Sequence, residues 1–166
     1  MVFLSYTDSI AWIKSNTPFR PDDYSRPTGS EVGRTAVFVE NQPPRMILGL
    51  ATFAARWVGE QSPGELRMFF VRETNIWPSN EHPRWYDLLR RAHGPPDFVE
   101  RSPGHLVHCF ENDDLVVLFY LALASGWNAS LYGRLMTRAV HIDHDGAVWL
   151  VDTASPNETY EELLAH

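Results

Sequence analysis

Ala139-Val140-His141-Ile142-Asp143-His144-Asp145-Gly146-Ala147-Val148-Trp149-Leu150-Val151 decides the fold class. Two alternating apolar runs flank Asp145-Gly146, and Asp-Gly between such runs is the strongest short-range signal for a β-hairpin. A two-residue turn there pairs His144 with Ala147, Asp143 with Val148, Ile142 with Trp149 and His141 with Leu150. In that register Val140, Ile142, Trp149 and Val151 share a core face. His141 and Asp143 project from the other face, because successive side chains alternate across a strand. Just upstream, Trp127–Tyr132 alternates Trp127, Ala129 and Leu131 against Asn128, Ser130 and Tyr132, and so reads as a third strand. Three strands this close in sequence pair antiparallel.

Working outward, the run Leu115–Ala124 is apolar all round and opens on Glu111-Asn112-Asp113-Asp114. Capping residues and acids near the positive end of the dipole mark a helix start, so this is a core helix ending at Gly126. Before it, Gly104–Phe110 reads as a strand. Pro83, suited to the first helical position, opens a second helix. Trp85, Leu88, Leu89 and Ala92 would be its buried stripe, Arg90, Arg91 and His93 its last turn, and Gly94-Pro95-Pro96 its stop. Glu65–Arg72 alternates as a half-buried strand, Arg45–Val58 reads as an apolar helix, and Arg34–Glu40 as a strand. A short helix over Ser9–Ser15, capped by Thr7 or Asp8, begins the chain. Ser155-Pro156-Asn157-Glu158 has the form of a capping box and predicts a closing helix. The expected architecture is α+β. A mixed, partly antiparallel sheet carries helices mainly on one face, and a C-terminal three-strand meander is followed by a helix. Residues 1–166 read as one globular domain with a long Pro-rich loop over 16–32.

Composition narrows function. A net charge of −7 and a pI of about 5.4 argue against a nucleic-acid partner, which calls for a basic surface. The basic side chains are thirteen Arg and the single Lys14. One cysteine, Cys109, precludes an intramolecular disulfide and reads as a small buried apolar residue. Met1–Asp8 lacks the pattern of a signal peptide, and the longest apolar runs reach about ten residues, half of a membrane span. A soluble cytoplasmic protein without membrane contact or cofactor is expected. Cofactor and nucleotide motifs, nucleophile elbows and paired Cys-x-x-Cys are absent.

Three stretches carry residues suited to chemistry. His141, Asp143, His144 and Asp145 are four metal-ligand types within five residues. The expected hairpin keeps them from converging, so His141 and Asp143 form half a site, as base or metal ligand and orienter. The plainer reading is a polar sheet edge beside a turn. Glu111, Asp113 and Asp114, with His105 and His108 upstream, resemble an acid–base cluster but also suit a helix start. His108 and Glu111 are therefore secondary catalytic candidates. The loop Asn75-Ile76-Trp77-Pro78-Ser79-Asn80-Glu81 places a Trp beside polar groups, and loops held by rigid elements often bind. From Phe69 to Gly94, and again at Gly126-Trp127-Asn128-Ala129, the chain resembles uncharacterised bacterial proteins that share an Ile-Trp-Pro-Ser-x-Glu loop followed by a helix. That resemblance implies no activity.

The function expected first is a small acidic protein-binding module that neutralises or regulates a basic partner, as bacterial immunity proteins do. Its contacts would be Trp77, Glu81, Asp22, Asp23 and Tyr24. The alternatives are a small acid–base or metal-assisted hydrolase using His141 and Asp143, and a structural subunit of a larger assembly.

Overall fold

The computed structural model describes residues 1–19, 33–39, 42–60, 64–74, 84–94, 99–134 and 137–153. The closing helix expected from Pro156 and most of the 16–32 loop lie outside them. The described elements are β1 (Val2–Leu4), α1 (Tyr6–Asn16), β2 (Gly33–Phe38), α2 (Pro44–Glu60), β3 (Arg67–Glu73), α3 (Arg84–His93), β4 (Gly104–Val107), α4 (Asn112–Ala124), β5 (Asn128–Gly133), β6 (Arg138–Ile142) and β7 (Ala147–Asp152). A single 3₁₀ turn, Cys109–Glu111, joins β4 to α4.

Seven strands form one sheet in the order β1-β4-β3-β5-β6-β7-β2, and every pair is antiparallel. The expected meander β5-β6-β7 is present, and the antiparallel pattern runs through the whole sheet. The two strands nearest the N-terminus occupy opposite edges, β1 on β4 and β2 on β7.

The sheet has two unequal faces. Phe69, Val71, Val107, Ala129, Leu131, Val140, Ile142, Val148 and Leu150 point to the main core, where α2, α3 and α4 bring Ala51, Ala54, Val58, Tyr86, Leu115, Leu118 and Phe119. Met68, Phe70, Tyr132 and Ala139 point the other way, and Ile13 of α1 packs on them. Helices therefore lie mainly on one face. The α1 helix is capped by Ser5, whose Oγ accepts from the Asp8 N–H at 3.1 Å, upstream of the Thr7 or Asp8 cap expected. It approaches β4 so closely that a Cβ placed on Gly104 would stand 2.0 Å from Ser9 Oγ.

Three expectations are corrected. The β6–β7 turn holds three residues, with Asp143 N–H donating to Ala147 O at 2.8 Å and Gly146 at φ +80°. A left-handed glycine closing a three-residue loop is the common next choice after the two-residue turn. The register is therefore Ile142 on Val148, His141 on Trp149 and Val140 on Leu150. That one-residue slip turns β7 over: Val148 and Leu150 enter the core, and Trp149 moves to the face of His141.

The α3 helix is also rotated by one residue. Tyr86 and Arg90 are its buried positions, whereas Trp85, Leu88 and Ala92 are exposed. The same i, i+4 spacing holds one position on, because Arg90 finds polar partners inside and Tyr86 packs edge-to-face on Trp127 at 4.8 Å.

Cys109 is the third case, exposed and not buried. The β4 strand ends at Val107, and the 3₁₀ turn that follows presents Cys109 and Phe110 outward.

Candidate functional site

A cavity of about 490 Å³ opens at the end of the sheet where β3, β5 and the β6–β7 turn meet, lined by Arg72, Glu73, Asn128, Asp143 and His144. Its floor is an irregularity: the β3–β5 register slips between Val71 and Glu73, pairing Val71 with Ala129 and Glu73 with Asn128. An extra residue in one strand re-aims neighbouring side chains, and here both Arg72 and Glu73 reach the cavity.

Asn128 is the hub. Its Nδ2 donates to Glu73 Oε2 at 2.9 Å, and its Oδ1 accepts the His144 N–H at 2.8 Å. The His144 ring sits with Nδ1 3.1 Å from Asn128 Oδ1 and 3.1 Å from Asp143 Oδ1. Both neighbours are acceptors, so Nδ1 carries a proton and donates; Nε2 faces a third acceptor, Asp145 Oδ1, at 3.5 Å. Asp145 N–H closes the turn on Asp143 Oδ1 at 3.1 Å. Burial lowers the Arg72 guanidinium to about 10, against the raising influence of Tyr132, Asp143, Glu73 and Tyr6, so it stays cationic at neutral pH. An imidazole oriented by a carboxylate and an amide, beside a fixed cation, is equipped for proton transfer next to an anion. Asp143, His144 and Asp145 also have ligand atoms within 4.8 Å of one another, but all three come from one turn.

Of the catalytic candidates expected from sequence, His141, Asp143, His108 and Glu111, Asp143 is the one that lines this cavity. His141 is buried on the second face, its Nδ1 2.8 Å from Ser130 Oγ and its ring edge-on to Tyr132 at 5.7 Å. The expected His141–Asp143 half-site is thus divided, and its neighbour His144 is the imidazole beside Asp143. Parity along an ideal strand placed His144 with the core. The three-residue turn releases it from that alternation.

His108 and Glu111 do meet, but structurally. Glu111 Oε2 accepts the His108 N–H at 2.9 Å, Oε1 takes the Met1 ammonium, and the His108 ring stacks on Phe110 at 5.2 Å. Burial pushes the Glu111 carboxyl up, and the bonds from the ammonium and the His108 N–H outweigh it, leaving it below the usual range. His93 lies between Glu111 Oε1 (3.9 Å from Nδ1) and Asp114 Oδ2 (3.2 Å from Nε2), gathering another His–carboxylate trio at the end of α3. Asp113 and Asp114 stand in the first turn of α4, as the helix-start reading expected. Asp22, Asp23, Tyr24, Trp77 and Glu81 lie outside the described residues.

Sequence reasoning passed over a buried polar cluster. His105 Nδ1 lies 3.1 Å from Pro103 O and 3.3 Å from Phe69 O, both carbonyls, so Nδ1 bears the hydrogen. Its Nε2 then accepts from the Tyr86 hydroxyl at 3.0 Å and from Arg90 Nη1 at 2.9 Å. Burial, then the Arg90 charge, pushes the imidazole down to about 3, and burial holds the Tyr86 phenol far above its ordinary value. The signal in sequence was a polar His105 on the parity of an otherwise apolar strand. No helix among the described residues is long and apolar enough to cross a membrane. Comparison of the chain with family models, curated proteins and solved structures gives no match.

Proposed function

We propose that the protein is a small acidic protein-binding module that neutralises or regulates a partner protein, in the way of bacterial immunity proteins. The observation that carries this reading is the outward face of α3. Trp85 is 72% exposed and Leu88, one turn on, is 54% exposed, on a helix whose opposite face is buried. Large apolar side chains held in water on a rigid helix are what an interface uses as anchors, and Trp is prominent among hot-spot residues. The net charge of −7 favours a basic partner, by speeding encounter. Trp77 and Glu81 precede α3 directly in the chain and remain contact candidates with Asp22, Asp23 and Tyr24.

The test is affinity capture from the native cells at low and moderate salt, with wild type beside Trp85→Ala/Leu88→Ala. One stoichiometric partner is expected, weakened on the order of 100-fold by the double substitution, since hot-spot truncations cost about 2 kcal/mol or more. A partner held equally by both proteins removes α3 from the interface, and no specific partner removes the reading.

The cavity favours a second reading, an acid–base or metal-assisted hydrolase with His144 as base, Asp143 orienting it and Arg72 steadying developing negative charge. It keeps Asp143 from the sequence expectation and replaces His141. A hydrolase screen with His144→Asn checks it. The variant should lose about 100-fold or more of any activity found, as for loss of a general base. An activity untouched by that change lies elsewhere.

A further inference from the structure

The geometry points to a small-oxyanion site on Arg90: the edge formed by its Nε and Nη2 binds a carboxylate or phosphate group beneath the ring of Phe3. Arg90 is 1% exposed. Its Nη1 is fully used, donating to Ser102 O at 2.9 Å and to His105 Nε2 at 2.9 Å. Its Nε and Nη2 are shut away from water with no hydrogen-bond partner. A guanidinium does not shed its proton, so the charge remains. His105 is held neutral, Tyr86 stays a phenol, and no carboxylate among the described residues forms an ion pair with Arg90.

Proteins do not keep a buried charge without a counter-charge at no cost, and an unmet pair of N–H donors adds to it. The two idle donors are adjacent on one side of a planar fork. That spacing matches the two oxygens of a carboxylate or phosphate, and a bidentate anion would meet both deficits at once. The Phe3 ring covers the guanidinium at 4.4 Å, is itself partly exposed, and rides on β1, a three-residue edge strand paired only with β4. Short edge strands with few backbone bonds open at low free energy.

The proposal stands apart from the α3 docking face, because Arg90 is on the buried side of that helix. It is tested by titrating the wild-type protein with inorganic phosphate and, separately, with acetate, at ionic strength held constant with chloride. The readouts are the NMR signals of the His105 ring, which Arg90 touches, and the thermal midpoint. The expected result is a saturable His105 shift with at least one anion and a midpoint rise of roughly 3 °C at several times Kd. Arg90→Met should show neither, and without anion it should be at least as stable as wild type, because an apolar isostere relieves a buried unpaired charge. Saturation by phosphate alone assigns a phosphate-bearing ligand, and saturation by acetate assigns a carboxylate. No saturable change in wild type overturns the proposal. A midpoint rise equal in Arg90→Met also overturns it, as the general effect of an excluded salt. Should Arg90→Met fail to fold, the wild-type His105 titration decides by itself.

Discussion

His105 carries a strong pH dependence in one side chain. Its folded value near 3 lies below the ordinary 6.5, so between those two pH values the unfolded chain binds a proton that the folded chain refuses. Stability from this group is therefore complete above about pH 6.5 and is lost as pH falls toward 3, at about 1.4 kcal/mol per pH unit. We expect urea unfolding of the wild type to weaken on that slope from pH 6 to pH 4, and His105→Gln to remove one proton's worth of it. An unchanged slope in the variant would place the acid sensitivity in the carboxylates. Arg67 shows the opposite handling of a buried cation. It is driven down by desolvation, yet Nη1 donates to Asn112 Oδ1 at 2.8 Å and Ala55 O at 3.1 Å, and Nη2 to Cys109 O at 3.4 Å. Those bonds tie α2, the 3₁₀ turn and α4 to β3. Arg90 is bonded through Nη1 alone, to Ser102 O and His105 Nε2, and its Nε and Nη2 have no partner.

Among the elements, α1 packs closely on β4 at Gly104. Gly104 is there for space, since its φ is not in the left-handed region and a Cβ would meet Ser9 Oγ, Ser9 Cβ (3.1 Å) and Leu4 Cβ (3.2 Å). Gly104→Ala should cost about 1–3 kcal/mol by overpacking, read as a lower midpoint in chemical denaturation. Ser9→Gly in the same chain should return part of that loss, which backbone strain would not. The α3 helix and the β6–β7 hairpin were legible as elements, from Pro83 and Gly94 in one case and Asp145-Gly146 in the other. Their facing was not. A shift of one residue rotates a helix by about 100° and turns a strand over, while local patterns such as Trp85-Tyr86 and Trp149-Leu150 offer an apolar residue to either side.

Across the whole molecule, the sheet brings together residues far apart in the chain. The cavity draws Arg72 and Glu73 from β3, Asn128 from β5, and Asp143 and His144 from the β6–β7 turn. The buried cluster draws Tyr86 and Arg90 from α3 onto His105 of β4. Net charge acts at this scale too. With −7 spread over the chain, capture of a basic partner should fall as salt rises, because screening shortens the reach of the field to about 10 Å at 0.1 M. Binding to the Trp85–Leu88 face that persisted unchanged at high salt would mean that apolar burial alone drives it.

The sequence by itself determined the elements from α1 to β7, the α+β class and the antiparallel meander, because periodicity, caps and turn residues act over a few neighbours; the short edge strand β1 left no such signal. It also marked Asp143 as a place to look, whereas it put Trp85 inside. Only the tertiary structure decided the strand order, with β1 and β2 at opposite edges, and the slip that joins His144 rather than His141 to Asp143. It alone turned Trp85 out and Arg90 in. These outcomes depend on which surfaces bury one another across distant segments, and a free-energy balance among long-range contacts leaves no local pattern in the chain.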